Sequence, residues 1–115
     1  MKEFMMIFIG ADYGDLGLSP EEIQGRMGKW FAWNQKMEEQ GIVKGGNALT
    51  AEIRRIVGKN RTVSDVNSAE VKELVGGYYI VTAKDFDAVE VIAQDFPDYD
   101  LGSTVEIREI MVFDE

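Results

Sequence analysis

A chain of 115 residues has room for one hydrophobic core and not for two independent ones, so a single domain over residues 1–115 is expected. Twenty-one acidic residues against twelve basic ones give a formal charge of -9, a field that repels nucleic acid and anionic membranes. With neither cysteine nor histidine, the chain excludes disulfides, the usual zinc sites, thiol nucleophiles and any Ser-His or Cys-His pairing, which leaves acid/base chemistry to carboxylates, tyrosine or lysine. No metal site and no cofactor are expected.

Residues 3 to 10 form a run apolar at successive positions, as in a central strand covered on two faces, and Gly10 ends it. The run is far shorter than a membrane span and lacks the longer apolar core and cleavage site of a signal peptide, so a cytoplasmic protein is expected. The loop Ala11 to Leu18, with Asp12, Tyr13, Gly14, Asp15 and Gly17, reads as a surface connection whose length also permits a ligand-side role. Ser19-Pro20-Glu21-Glu22 is a helix start: Ser19 caps, Pro20 fits the first position and Glu22 completes a capping box. The helix runs to about Gln40 and Gly41 stops it. Helical spacing puts Ile23, Met27, Trp30, Asn34 and Met37 on one stripe, with Phe31 and Trp33 on its shoulders. Asn34 is the anomaly, a carboxamide that is either bonded to nearby backbone or aimed into a pocket.

Gly45-Gly46-Asn47-Ala48-Leu49 turns the chain, and the stretch from about Leu49 to Val57 reads as a second strand carrying Arg54 and Arg55. Gly58-Lys59-Asn60 connects it to a third strand, Arg61 to Ser64, and Tyr78 to Thr82 is a fourth. Asp85 caps a second helix, Phe86 to Phe96, in which Val89, Ile92, Ala93 and Phe96 recur at helical spacing before Pro97. After a loop from Asp98 to Ser103, Thr104 to Phe113 is the last strand. These elements contain the order β, α, β, β, α, β with one strand to spare and predict an α+β domain of ferredoxin-like form, an antiparallel sheet with both helices on one face. Two helices leave the other face open, and a second subunit would cover it.

Several pieces, in order, carry a resemblance: Ser19 to Glu22, Gly45-Gly46, Asp65, Ala69-Glu70, Lys72-Glu73, Gly76-Gly77-Tyr78-Tyr79 and Val105 to Arg108. In these the chain resembles the YCII-related proteins, in particular their DGPF-domain branch, over nearly its whole length. The resemblance implies a ferredoxin-like subunit that dimerises sheet to sheet into a dimeric α/β barrel with a cleft beside the sheet. For the wider family it also implies an active site built on a His and an Asp. Where the branch has Asp-Gly-Pro-Phe, this chain reads Asp65-Val66-Asn67-Ser68, and no histidine exists to pair with Asp65.

Asp65 is the candidate catalytic residue, either a turn former bonded to its own backbone or a carboxylate held in a partly apolar cleft near Tyr78 or Asn34. Asn34, Trp30 and Tyr78 are the candidate ligand-binding residues. Glu70 and Glu73 read as a solvated acidic turn, and Gly76-Gly77 precedes a strand rather than opening a helix, so it is no phosphate loop. Two readings follow: a small-molecule site near Asp65, with binding or lyase/isomerase-type acid/base activity, and a non-catalytic homodimeric interaction or regulatory protein.

Overall fold

In the computed structural model, which describes residues 1–113, the chain runs β1 (Lys2–Ile9), α1 (Pro20–Glu39), β2 (Val43–Ala48), β3 (Ile53–Val57), β4 (Thr62–Val66), β5 (Val75–Ala83), α2 (Phe86–Ala93) and β6 (Thr104–Glu109). Strands β2, β5, β1 and β6 form a four-stranded antiparallel sheet in that order, and β3 with β4 forms a separate hairpin. Without the hairpin the order is β1-α1-β2-β5-α2-β6 with the first and third sheet strands central, the ferredoxin-like α+β arrangement.

Alternation along β1 sends Phe4, Met6 and Phe8 into the core and leaves Met5, Ile7 and Ile9 half-buried on the other face. The core joins Phe4, Met6 and Phe8 to Val81 and Ala83 of β5, Trp33 and Met37 of α1, and Val89 and Ala93 of α2, so both helices cover one face. Each large apolar side chain sealed there contributes about 1.5–3 kcal/mol.

Helix α1 begins as its sequence dictates. The Ser19 side chain accepts from the Glu22 amide, the Glu22 carboxylate accepts from the Ser19 amide, and Gly41 ends the helix at a left-handed φ of 70°. The buried stripe is rotated from the expected one. Trp33 and Met37 are its buried members, Trp30 is half-buried, and Phe31 is 66% exposed. The rotation brings the Trp33 indole N–H to the Ile92 carbonyl oxygen and its ring against Phe8.

The strand order differs from the sequence reading at the glycines. Gly45-Gly46-Asn47, expected as a turn, lies inside edge strand β2, and the expected second and third strands form the hairpin outside the main sheet. A Cβ on Gly46 would collide with the Tyr79 ring and lie 2.5 Å from the Tyr78 carbonyl oxygen, while one on Gly77 would lie 2.8 Å from that of Asn47. These glycines allow close approach between strands instead of a reversal. The hairpin does turn at Gly58 to Arg61, where both end residues have positive φ.

Two boundaries are shorter than expected. Helix α2 stops at Ala93, because Pro97 disfavours helical geometry at Phe96, whose ring instead stacks on Phe8 at 5.2 Å. Strand β6 stops at Glu109, after which the Ile110 amide donates to the Glu3 carbonyl and Met111, Val112 and Phe113 are exposed.

Candidate functional site

Beside the core, α1 and the β2–β5 side of the sheet enclose a cavity of about 680 Å³ that extends to the loop after β1. One part of its wall is a cluster of aromatic rings. Phe8 sits at the centre, with Trp30, Tyr79 and Phe96 at centroid distances of 5.0, 5.4 and 5.2 Å. Interlocking rings of this kind hold one another in fixed orientations, so the wall is set before anything enters.

At one end lies Asp98, 6% exposed and the buried acidic residue of the described chain. Its Oδ2 accepts from the Tyr13 hydroxyl at 2.6 Å and from Trp30 Nε1 at 3.2 Å, and Trp30 Nε1 also reaches the Tyr13 oxygen at 3.0 Å. Arg26 approaches Asp98 Oδ1 at 3.4 Å and donates to the Pro97 carbonyl, while its two terminal nitrogens grip Asp100 at 2.6 and 2.7 Å. Three segments distant in sequence thus meet on one carboxylate: the loop after β1, successive turns of α1 through Arg26 and Trp30, and the turn after α2 that carries Asp98 itself.

The electrostatics follow from this packing. Burial, and then the hydrogen bond given to Asp98, push the Tyr13 hydroxyl up to about 12. The Arg26 guanidinium holds the Asp100 carboxyl down at about 2, and Arg26 is itself raised, chiefly by its hydrogen bond to Asp100. Burial, followed by the charge of Glu38, raises Tyr79. At neutral pH Tyr13 therefore keeps its proton and donates it in the hydrogen bond to Asp98.

Of the residues singled out in the sequence, Trp30, Asn34 and Tyr78 all line this cavity. Trp30 and Asn34 do so from α1. Tyr78 pairs with Ile7 and Asn47, positions that alternation turns toward the open sheet face, and its hydroxyl accepts from Asn47 Nδ2 at 3.0 Å. Of the two adjacent tyrosines it is Tyr79 whose ring packs against Trp30, with centroids 6.1 Å apart.

Asp65 is placed elsewhere. It sits on β4 opposite Arg54, its side chain 93% exposed and 3.8 Å from the Arg54 guanidinium, beside an open hollow shared with Arg55, Ser64, Asn67, Glu70 and Lys72. Among the described residues no group of three or more acidic side chains is placed to hold a metal ion, and no helix is long and apolar enough to cross a membrane.

Tyr13, Arg26 and Asp98 are site residues that the sequence did not single out. Arg26 did leave a signal: it falls four residues before Trp30 on the side of α1 that carries Trp33 and Met37, a place where an arginine needs a buried acid. Asp98, within Pro97-Asp98-Tyr99-Asp100, reads locally as a turn.

No curated protein matches the chain. The family model for the YCII-related domain matches residues 4–114, which takes in all of the sheet but the first two residues of β1, both helices and every residue of the cavity. The chain therefore belongs to the YCII-related domain family.

Proposed function

We propose that this protein binds a small organic molecule in the cavity between α1 and the β2–β5 side of the sheet. The observation that carries the reading is a mainly apolar hollow of about 680 Å³, walled in part by aromatic rings and reaching a buried, fully partnered carboxylate. Predominantly apolar walls with a few fixed polar groups are the usual make-up of small-molecule sites. Both oxygens of Asp98 are already occupied by donors from the chain, which favours binding over lyase or isomerase chemistry. Asp65, hydrated and on the hairpin, has no acid/base role in this reading.

A second reading concerns assembly. Met5, Ile7, Ile9 and Ile80 form a half-buried apolar centre on the sheet face that no helix covers, on a slab of 47 × 40 × 18 Å. That supports a homodimer closed sheet to sheet, as in a dimeric α/β barrel. Within the family, the ordered run from Ser19 to Glu22 through Gly76-Gly77-Tyr78-Tyr79 to Val105–Arg108 supports placing the chain, as one domain, in the DGPF branch.

A thermal-shift screen against small metabolites tests the cavity, using wild type, Asn34→Trp and Asp65→Ala. A ligand at about a hundred times its Kd stabilises by about 2.7 kcal/mol. Hits should stabilise wild type and Asp65→Ala alike and lose their effect on Asn34→Trp, which plugs the cavity from a half-buried position. Hits that stabilise Asn34→Trp as well as wild type would sink the reading.

A further inference from the structure

The charged side chains that line the cavity are Asp12, Glu38 and Asp98, all acidic, and among the described residues no lysine or arginine lines it. The guanidinium that reaches the Asp98 end, Arg26, is already committed to Asp98, Asp100 and the Pro97 carbonyl. An anionic ligand entering here would be desolvated beside carboxylates with no cation to receive it.

The remaining wall favours the opposite sign. Trp30 and Tyr79 both line the cavity, and the quadrupole of an aromatic ring attracts a cation. Phe31, mostly exposed on α1, adds a third ring on the solvent side. Among the described residues the Glu38 carboxylate enters no ion pair, and its field is felt at the Tyr79 hydroxyl. A carboxylate without a cation beside an aromatic wall is a fitting receptor for an ammonium group, while the apolar surface takes the body that carries it.

We infer that the cavity is built for an organic cation, an ammonium group on an apolar or aromatic body, with Glu38 and the Tyr79 ring receiving the charge and Trp30 lining the place of the body. The assignment rests on the small-molecule reading above and adds the ligand's chemical class. Asp98 does not meet the ligand's charge directly, since Tyr13, Trp30 and Arg26 already occupy its oxygens.

The test uses three probes of matched body and different charge: phenethylamine, 2-phenylethanol and phenylacetate. Both tryptophans of the chain are at the site, Trp30 in the cavity wall and Trp33 5.6 Å behind it, so intrinsic fluorescence reports occupancy. Phenethylamine should bind about tenfold or more tightly than phenylacetate, with the alcohol between them, and the spread should narrow as salt rises. Glu38→Gln, an exposed helix position that leaves the fold intact, should weaken the amine by about threefold or more and leave the alcohol unchanged. If the alcohol or the carboxylate binds as well as the amine, and Asn34→Trp abolishes that binding, the cation assignment falls and the cavity reading stands. If none of the three binds at millimolar concentration, both fall.

Discussion

The Tyr13 hydroxyl donates a 2.6 Å hydrogen bond to Asp98 Oδ2, joining residues 85 positions apart in the wall of the cavity. The bond fixes the loop after β1 to the turn after α2, and Trp30 Nε1 bridges both oxygens from α1. A carboxylate this deep is held by its donors, and losing one leaves the others strained to cover it.

Removing those donors should therefore destabilise in a graded way. Tyr13→Phe leaves Asp98 with Arg26 and Trp30, and is expected to cost about 1–3 kcal/mol. Arg26→Met removes the only cation paired with Asp98 among the described residues and is expected to cost about 3–5 kcal/mol. Urea denaturation of the two variants checks the order. Equal costs would show that Asp98 draws no support from the Arg26 charge.

The architecture was legible where local chemistry and tertiary structure agree, as in the Ser19–Glu22 capping box, the Gly41 stop and the alternation of β1. It failed at Gly45-Gly46, because a glycine pair signals a turn by its own conformational freedom, while here it answers to the ring of Tyr79 on a strand more than thirty residues on. The site was half legible for the same reason. Trp30 and Asn34 are marked by where they fall on a helix, and both line the cavity. Tyr13 and Asp98 acquire meaning only when the fold brings them together. Asp65 drew attention through a resemblance in sequence, and the fold carries it away on the hairpin.

The glycine argument yields a matched pair of substitutions. Gly46→Ala places a methyl group against the Tyr79 ring and the Tyr78 backbone, an overpacking expected to cost about 1–3 kcal/mol. Gly45→Ala meets nothing within 4 Å and should change stability by no more than about 0.5 kcal/mol. Chemical denaturation midpoints decide, and equal losses would remove close strand approach as the reason for Gly46.

Alkaline titration offers an independent view of Tyr13. Its hydroxyl is raised from an ordinary 10.0 to about 12, so the stability it contributes is fully present below pH 10 and is lost as pH rises through about 12. Tyr13→Phe should flatten the alkaline loss of stability in that window. It should also remove the last-titrating component of the tyrosinate difference spectrum, although Tyr79 and Tyr99 are raised by burial too. A wild-type chain whose four tyrosines all ionise together near pH 10 would contradict the buried Tyr13–Asp98 bond.

Assembly is tested at Ile7, at the centre of the uncovered sheet face and paired there with Tyr78 and Glu106. If that face is where two copies meet, wild type sediments at twice the chain mass at micromolar concentration. Ile7→Lys should then give a folded monomer: the new ammonium lies beside Glu106 and is tolerated on an open sheet, but opposite a second copy it would be buried among apolar side chains. Circular dichroism unchanged from wild type separates dissociation from unfolding. A monomeric wild type, or a dimer indifferent to Ile7→Lys, moves the interface off this face and leaves Met5, Ile7 and Ile80 as ordinary half-exposed strand residues.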